Sequence, residues 1–441
     1  MFKKSNRSAF ENFLLGKYER MNRDLIVRSY PYMAAIDPSS ICGLQCPFCP
    51  TGSENWPEND VPRGHYRKRT TMTVELFDAL LDELGEYLFM ILFYNWGEPL
   101  LNKHLPYFIK RANALDIYTE IHTNLSLRLT DQAMEELLLS GIDEIAASID
   151  GFTAGTYNTY RRGGNFELAK GNIERLAAVK RRLGLDTTIA WNFLVFSFNE
   201  HEVEAAKKHC EKLGIVFNKR VAHIDTKTHP GWLPSDRKGE LAKSARPEPV
   251  DETLRTTCGW HYAYTTINPD GSVSPCCALW DQKYDFGAVG QGVSFAEVWN
   301  NKYFKKARSL ASGVDAKGIG DLITICNTCP TRKTMPDLYT SLEWRILERS
   351  AQVFSGSDSV MVKAFSLLSR ESDFRDYYCE NFICRRNTPP TGSANSTETD
   401  ADWPFARLKR ELDSVYASKS WRLTYPLRRL SAFMQGIKAR R

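Results

Sequence analysis

Short β-rich runs alternate with helical segments along the first half of the chain, and this alternation constrains the fold more than any other feature. Strand-like runs such as EIAASIDG (144–151) and TTIAWNFLVF (187–196) are separated by stretches of helical length and spacing. About six such units follow one another, which indicates parallel strands joined by right-handed crossovers. Because eight units close a full barrel, the sequence predicts an α/β fold with a partial, TIM-like (β/α)6 barrel.

A group of three cysteines directly follows the first strand-like run. The stretch ICGLQCPFCPTG (41–52) places Cys42, Cys46 and Cys49 in a C-x3-C-x2-C pattern. Structural zinc sites close with four ligands, and a cubane iron–sulfur cluster also has four irons to ligate. Three thiols with no fourth beside them therefore indicate a cluster with one iron open to a non-protein ligand, and a zinc ligand set is the alternative.

Further polar motifs end the later strand-like runs. They are WGEP at 96–99, HTN at 122–124 and SID at 148–150. In barrels of this kind the chemistry gathers at the carboxyl ends of the strands, so we expect these motifs to lie around the cysteine loop.

Composition and charge limit the class of protein. The 441 residues are 42% hydrophobic and 25% charged, without an apolar run near the roughly 20 residues that span a bilayer and without a signal sequence at the start. We expect a cytoplasmic protein whose eleven cysteines serve as thiols and metal ligands.

The excess positive charge is concentrated in residues 403–441, which hold ten Lys/Arg against two Asp/Glu, in a chain of net charge +5. Apolar side chains such as Trp421 and Phe433 among these arginines are typical of a segment that binds an anionic surface. We expect a contact with the inner face of the membrane or with a partner protein, and a helix that packs back on the body is the alternative. We do not expect nucleic acid as a partner, because no basic stripe extends into the main body.

A second set of cysteines follows the barrel. Cys258 and Cys276 flank a hairpin whose turn is Asp270-Gly271, and Cys326 and Cys329 form a later C-x2-C pair. Four thiols can ligate one complete cluster. A zinc ribbon needs the same number of ligands, so zinc remains an alternative. Cys277 could take the place of Cys276.

The first cysteine loop and the strand-end motifs together resemble the radical S-adenosylmethionine (SAM) enzymes, whose cluster loop has the pattern C-x3-C-x-aromatic-C, with Phe48 as the aromatic residue. The resemblance implies that Cys42, Cys46 and Cys49 hold a [4Fe-4S] cluster and that SAM chelates the open iron. Reductive cleavage of SAM would then yield a 5′-deoxyadenosyl radical. An electron donor such as flavodoxin or ferredoxin is implied as a partner.

The same resemblance implies further SAM contacts. Trp96-Gly97-Glu98-Pro99 matches the family's GGEP-like turn except at Trp96, whose side chain we expect to point away, and Glu98 would accept the SAM ammonium group. The other implied cofactor-binding residues are Asn124, Ser148, Asp150, Asn192 and one arginine, Arg161 or Arg162.

The second cysteine region resembles the SPASM/Twitch extension of such enzymes. This implies one auxiliary [4Fe-4S] cluster on Cys258, Cys276, Cys326 and Cys329, which would pass an electron during net oxidation of the substrate. The stretch KSWRLTYPLRR (419–429) also resembles terminal segments of surface-glycan enzymes. We therefore expect oxidation of a sugar or sugar-like alcohol, as in radical SAM alcohol dehydrogenases. A peptide-modifying maturase and a non-catalytic Zn/Fe–S binding module with an interaction tail are the alternatives.

The predicted organisation has seven parts. They are an N-terminal helical segment (1–30), the partial barrel (31–228), a linker (229–252), the SPASM/Twitch-like domain (253–333), a helical extension (334–384), a disordered hinge (385–402) and the basic amphipathic tail (403–441).

Overall fold

A computed structural model describes residues 3–53, 64–221, 224, 229–235, 258–315, 318–329, 337–354 and 358–383. Two compact units are present, one up to Thr334 and one from Met335 onward. The hinge and the basic tail predicted for residues 385–441 lie outside the described residues, as does most of the predicted linker. The predicted domain boundaries therefore stay predictions.

Nine strands of the first unit form one sheet in the order β6-β5-β4-β3-β2-β1-β7-β8-β9. The strands are β1 (Met33–Ile36), β2 (Met90–Leu92), β3 (Tyr118–Thr123), β4 (Glu144–Ser148), β5 (Thr188–Val195), β6 (Val216–Val221), β7 (Tyr264–Ile267), β8 (Ser272–Ser274) and β9 (Gly287–Ala288). β1 to β6 pair in parallel in chain order, which confirms the partial (β/α)6 barrel. β7 pairs in parallel with the free edge of β1, and the hairpin β7–β8–β9 then continues antiparallel, so the second cysteine region extends the barrel sheet.

The helices described in the first unit connect and cover these strands. They are α1 (Arg7–Met21), α2 (Pro50–Ser53), α3 (Val74–Leu84), α4 (Leu105–Asn113), α5 (Asp131–Leu139), α6 (Ala154–Tyr160), α7 (Phe166–Leu183), α8 (Val203–Leu213), α9 (Trp260–Ala263), α10 (Phe295–Trp299) and α11 (Lys302–Ser312). Thr73 caps α3, because its hydroxyl accepts a hydrogen bond from the Leu76 amide at 3.2 Å. The main core lies between these helices and the outer face of the sheet, around side chains such as Phe77, Phe108 and Trp191.

The second unit is helical where it is described. It contains α12 (Asp337–Phe354), α13 (Ser359–Leu367), α14 (Glu371–Tyr378) and a π-helical turn (Cys379–Ile383). Apolar side chains hold these helices together: Phe354 stacks on Phe365 and Tyr378 stacks on Phe382.

Helix α1 covers the amino-terminal end of the barrel. The Phe10 ring packs edge-on against Phe89, just before β2, with a centroid separation of 5.0 Å, and Phe13 packs in the same way against Tyr32, just before β1. The Lys4 ammonium donates to the carbonyl of Gly85 at 2.7 Å, and burial lowers its pKa to about 8. This end of the barrel is therefore closed by packing, which leaves the carboxyl ends of the strands for chemistry.

Phe10→Ala is expected to lower the free energy of unfolding by about 3–5 kcal/mol, because the phenyl ring is fully buried and its loss leaves a cavity. Urea denaturation followed by circular dichroism measures the change. Leu139→Ala, at a side chain that is 61% exposed, is the control and should cost less than about 0.5 kcal/mol. Equal losses in the two variants would contradict the packing described for α1.

Candidate functional site

The cysteine loop follows β1 and ends in the short helix α2. Cys46 is buried, whereas Cys42 and Cys49 are half-buried. Phe48 adopts a φ of 66°, a left-handed conformation that is uncommon for an aromatic residue, and its ring packs edge-on against His229 at 4.9 Å. The three thiols are therefore carried by a tightly turned loop anchored through its aromatic residue.

Two polar side chains from later loops, one after β3 and one after α6, point at two of the thiols. The side-chain amide nitrogen of Asn124 (Nδ2) lies 3.8 Å from the Cys42 Sγ, and the Arg161 Nη1 lies 3.9 Å from the Cys46 Sγ. Arg161 also pairs with the fully buried Asp150, its Nε donating to the carboxylate at 2.6 Å. Such donors stabilise negative charge on sulfur, so Asn124, Asp150 and Arg161, all predicted from sequence, meet at the cysteine loop. 

The neighbouring arginine has a different place. Arg162 supplies its backbone carbonyl, which accepts a hydrogen bond from the Gln45 amide at 2.7 Å. The geometry thus favours Arg161 over Arg162 as the guanidinium beside the cysteines.

Burial disfavours the thiolate form of Cys42 and Cys46. Burial raises the pKa of Cys42 to about 12, and the charges of Glu98 and the other two thiols act in the same direction. Burial also raises the pKa of Cys46 to about 11, although the positive charge of Arg161 opposes this rise. A bound metal would supply the positive charge that deprotonates them. Within the described ranges, no three His, Cys, Asp or Glu side chains converge on a single metal position. Three thiols match the protein ligands of a cubane cluster with one open iron, whereas a structural zinc site takes four protein ligands.

The turn after β2 lies directly against the start of the cysteine loop. A Cβ atom on Gly97 would lie 1.7 Å from the carbonyl oxygen of Ser39, and the Glu98 amide donates to the Ile41 carbonyl at 2.8 Å. Pro99 then begins a single 3₁₀ turn, Pro99–Leu101. A glycine is therefore required at position 97 by the close approach of the two backbones.

The Glu98 carboxylate is buried and connects this turn to the end of β3. It accepts hydrogen bonds from the Thr123 hydroxyl at 2.6 Å, the Asn124 amide at 2.8 Å and the Leu100 amide at 3.1 Å. Burial raises its pKa, while these donors oppose the rise. Glu98 thus holds the turn after β2 against the end of β3. A carboxylate has about four acceptor positions, so one is left for another donor such as an ammonium group. Its contact with SAM stays a prediction.

Trp96 faces the second cysteine region. Its amide donates to the carboxylate of the buried Asp37 at 3.1 Å, and its indole Nε1 donates to the Leu279 carbonyl at 2.9 Å. The side chain therefore spans from the β2 turn to the loop that follows Cys276 and Cys277.

Ser148 and Asn192 are neighbours on adjacent strands. They are paired in the register of β4 and β5, and the Asn192 side-chain oxygen accepts from the amide of Asn218 on β6 at 2.9 Å. Their alternation with core residues puts them on the inner face of the barrel. A role for either residue in binding SAM stays a prediction.

A polar cluster inside the barrel was missed by the sequence analysis. The His122 Nε2 lies 2.7 Å from a carboxylate oxygen of Glu120, and the Tyr94 ring stacks on the His122 ring at 3.8 Å and 6°. Glu120 and His122 are two residues apart on β3, so the period of two already places them on one face. The motif HTN contains His122, but only the register with β2 shows that Tyr94 joins it.

The second cysteine region gathers around a histidine. The His261 Nε2 lies 3.9 Å from the Cys258 Sγ and 3.8 Å from the Cys326 Sγ. Cys276 lies in the same buried surroundings, where burial and the neighbouring thiols Cys277, Cys326 and Cys258 raise its pKa. The spacing Cys258-x2-His261 is the sequence signal that could have identified this histidine.

Cys276 and Cys277 have different surroundings. The pKa of Cys277 is raised by burial and lowered in part by a hydrogen bond from the Tyr264 hydroxyl on β7. The geometry thus groups Cys276 with Cys258 and Cys326, whereas Cys277 faces Tyr264. The role of Cys276 as a ligand stays a prediction.

Comparison with known proteins identifies both halves of the site. The model of the radical SAM superfamily matches residues 36–208, and the model of the SPASM iron–sulfur cluster-binding domain matches residues 258–330. The chain is a radical SAM enzyme with a C-terminal SPASM domain. Its cofactors are accordingly SAM and the [4Fe-4S] cluster that binds SAM, and auxiliary iron–sulfur cluster binding by the SPASM domain adds to these. The prediction of an enzyme is confirmed.

Curated relatives of this radical SAM enzyme have more than one activity. It is 26% identical over 289 residues to the PqqA peptide cyclase of Granulibacter bethesdensis, covering 59% of this chain and 71% of the relative. The PqqA peptide cyclase of Bradyrhizobium diazoefficiens is 24% identical, covering 69% and 80%. An S-adenosylmethionine-dependent nucleotide dehydratase of Flammeovirga pacifica is 30% identical over 124 residues, covering 28% and 40%.

Solved structures are also similar. BtrN in complex with AdoMet and 2-DOIA is 20% identical with a TM-score of 0.38, covering 65% of this chain and 89% of that one. Streptococcus suis SuiB bound to S-adenosylmethionine is 16% identical with a TM-score of 0.44, covering 71% and 74%. We infer no substrate from either structure.

No helix among the described residues is both long enough and apolar enough to cross a membrane.

The radical SAM enzyme is expected to bind about eight irons per chain, four at each cysteine site. The triple variant Cys42→Ala/Cys46→Ala/Cys49→Ala and the double variant Cys326→Ala/Cys329→Ala should each retain about half, since each removes the ligands of one cluster. Iron and sulfide analysis after anaerobic reconstitution measures this. Cys210→Ala, at a buried thiol in α8, is the control and should keep the full iron content. Zinc at the second site, or iron unchanged in both variants, would contradict the assignment.

Gly97→Ala is expected to weaken SAM binding by about 10²-fold, because the new methyl group must displace the turn from Ser39 and shift the site by more than an ångström. Equilibrium binding of SAM to the reconstituted enzyme measures the effect. Gly171→Ala on α7 is the matched control, since a Cβ there meets nothing within 4 Å. If Gly97→Ala bound SAM as tightly as Gly171→Ala, this turn would not belong to the SAM site.

Proposed function

We propose that this radical SAM enzyme oxidises a hydroxyl-bearing carbon of a sugar or sugar-like alcohol, in glycan or natural-product biosynthesis. The observation that carries the proposal is the Glu120–His122 pair inside the barrel, stacked under Tyr94. Oxidation of an alcohol to a carbonyl removes a hydrogen atom from carbon, a proton from oxygen and one electron. The pair offers a proton acceptor on the barrel's inner face.

The predicted cysteines supply the chemistry for the other two steps. Cys42, Cys46 and Cys49 would hold the cluster on which SAM is cleaved to the radical that takes the hydrogen atom. Cys258, Cys276, Cys326 and Cys329 would hold an auxiliary cluster, which supplies one-electron acceptance.

The chain's own residues hold the proton and orient the substrate. The His122 side chain is 24% exposed and that of Glu120 is 15% exposed, so both are reachable from the inner face. The Tyr94 hydroxyl lies 3.5 Å from the same Glu120 oxygen, so the carboxylate accepts from two side chains at once. A carboxylate held next to an imidazole can take a proton from a substrate hydroxyl and share it with the ring.

The inner face is rich in hydrogen-bonding groups, as a polyol requires. Ser148, Asn192 and Asn218 lie side by side on this face, and the Asn218 side-chain amide donates to the Asn192 side-chain oxygen at 2.9 Å. Hydroxyl and amide side chains of this kind would favour a ligand with many hydroxyl groups.

The proposal also includes an electron donor, a cellular compartment and a role for the basic tail. The enzyme would receive electrons from a flavodoxin- or ferredoxin-like donor in the cytoplasm. The basic segment 403–441, outside the described residues, would contact the inner membrane face or a partner protein, and the resemblance of its sequence to glycan-enzyme segments motivates the glycan assignment.

The second proposal is modification of a peptide. It is supported by the relatives named PqqA peptide cyclase, which align with 59% to 69% of this chain. Both proposals use the same cysteines and the same SAM turn, and they differ in the substrate that the barrel receives.

Deuterium transfer decides between these proposals. The reduced, reconstituted enzyme is incubated with SAM and either nucleotide sugars deuterated on the sugar ring or deuterated peptides. We expect deuterium from a sugar in 5′-deoxyadenosine, together with a sugar product that has lost two hydrogens. Deuterium from peptides and none from sugars would overturn the sugar proposal and support the peptide one.

Glu120→Gln is expected to reduce carbonyl formation by about 10²-fold, because the amide cannot accept the substrate proton, while SAM affinity stays unchanged. Product analysis by mass spectrometry, with SAM binding measured in parallel, checks both parts. Glu167→Gln on the exposed surface of α7 is the control. Full activity of Glu120→Gln would exclude the pair as the proton acceptor.

A further inference from the structure

His261 lies between two cysteines of the second cysteine region. Its Nε2 is 3.9 Å from the Cys258 Sγ and 3.8 Å from the Cys326 Sγ, and both distances are within hydrogen-bond reach of the large sulfur atom. The residue belongs to the short helix α9 and is only 3% exposed. Because so little of it reaches water, its polar contacts must come from the protein or from what the protein binds.

The two ring nitrogens of His261 have unequal surroundings. Nδ1 is buried and has no hydrogen-bond partner among the described residues, whereas Nε2 faces the two sulfurs. If Nδ1 carried the single proton of the neutral ring, its N–H group would be unsatisfied and the lone pair of Nε2 would face two thiolates. With the proton on Nε2, the ring donates to sulfur, and only the lone pair of Nδ1 lacks a partner. Burial and charge therefore place the proton on Nε2.

Two residues one turn apart on α11 hold this imidazole in place. The Arg308 Nε donates to the His261 backbone carbonyl at 2.8 Å, and Phe304 packs edge-on against the imidazole at a centroid separation of 6.4 Å and 71°. Both residues are fully buried. Because the backbone and the ring are each anchored, the direction of the Nε2–H group is set by core packing.

Arg308 also brings a positive charge to this side of the cysteine region. Its Nη1 donates to the Leu25 carbonyl and to the Asn300 side chain, and among the described residues no carboxylate forms an ion pair with it. Burial lowers the pKa of Arg308 to about 10, which leaves the guanidinium protonated at neutral pH. A buried cation without a counter-charge is costly, and a negatively charged group held by the thiols around His261 would offset that cost.

We propose that His261 donates its Nε2–H group to the sulfurs of Cys258 and Cys326 and thereby raises the reduction potential of the auxiliary cluster. A [4Fe-4S] cluster on four thiolates is an anion, and one more electron increases its negative charge. Donors at sulfur stabilise the reduced form more than the oxidised form, which raises the potential. His261 acts through the sulfurs and not as a ligand, because the four predicted cysteines already provide one thiolate for each iron.

This inference goes beyond the proposed function, because the potential is a property of the resting enzyme whatever substrate the barrel receives. Its consequence for alcohol oxidation is direct. The substrate radical would lose one electron to the auxiliary cluster and one proton to the Glu120–His122 pair, and a higher potential makes the cluster a better acceptor for that electron.

A redox titration followed by electron paramagnetic resonance measures the potential. The full chain carrying Cys42→Ala/Cys46→Ala/Cys49→Ala is the parent, so that only the auxiliary cluster contributes to the signal. In this parent, His261→Phe keeps a flat ring and removes the N–H donor. At the midpoint potential of the parent, the ratio of reduced to oxidised cluster is expected to fall by about tenfold or more, and tenfold corresponds to about 59 mV for a one-electron couple.

Two further variants separate the hydrogen bond from packing. His261→Gln offers an amide N–H group near the place of Nε2, so its shift in potential should be less than half that of His261→Phe. His201→Phe is the matched control, since this histidine lies just before α8 with a side chain that is 68% exposed, and it should leave the potential unchanged. Iron content is measured in every variant, and potentials are compared among fully loaded proteins.

A second measurement detects the imidazole directly, and it also serves if His261→Phe fails to take up iron. The parent is labelled with 15N-histidine and reduced, and pulsed electron paramagnetic resonance records the coupling between the cluster and nitrogen. We expect a weak 15N coupling that is lost in His261→Gln and kept in His201→Phe.

Four results would overturn the role of His261. They are an unchanged potential in iron-loaded His261→Phe, equal shifts in His261→Phe and His261→Gln, a parent without 15N coupling, and a coupling as strong as that of a nitrogen bound to iron. These measurements use neither SAM nor substrate. Deuterium transfer from sugars therefore tests the proposed function separately, and either proposal can fail without the other.

Discussion

The site depends on the contact between the turn after β2 and the start of the cysteine loop. Gly97 brings the two backbones so close that no side chain fits between them, and Glu98 then ties the turn to the end of β3 through three hydrogen bonds. The buried carboxylate costs desolvation, which the donors around it offset. Because Asn124 is held by this carboxylate and faces the Cys42 thiol, the position of the first cysteine depends on the same network.

The pattern of the sequence was sufficient for the barrel and for its cysteine loop. Alternation of strand and helix periods predicts six parallel units, and the turn at Asp270-Gly271 predicts the hairpin, where Gly271 indeed adopts a φ of 84°. The pairing of β7 with the free edge of β1 could not be predicted, because strand pairing across more than two hundred residues depends on tertiary packing. The cluster of Tyr94, Glu120 and His122 was hidden in part for a related reason: the period of two places Glu120 and His122 on one face, but only the register of β3 with β2 adds Tyr94.

The two cysteine sites are joined through aromatic and backbone contacts within one sheet. Trp96 occupies a position where the family usually has glycine, and its indole reaches the loop beyond Cys277. A residue that departs from the family pattern thus links the turn after β2 to the second cysteine region. On the other side, Arg161 connects Asp150 at the end of β4 to Cys46, so the first cysteine loop is held from two directions.

The central claim is that Cys42, Cys46 and Cys49 leave one iron free for SAM. Electron paramagnetic resonance of the anaerobically reduced enzyme, recorded before and after SAM is added, tests it most directly. The Cys326→Ala/Cys329→Ala variant isolates the signal of the first cluster. The account predicts that SAM changes the g-values of this signal, and an identical spectrum with and without saturating SAM would contradict it.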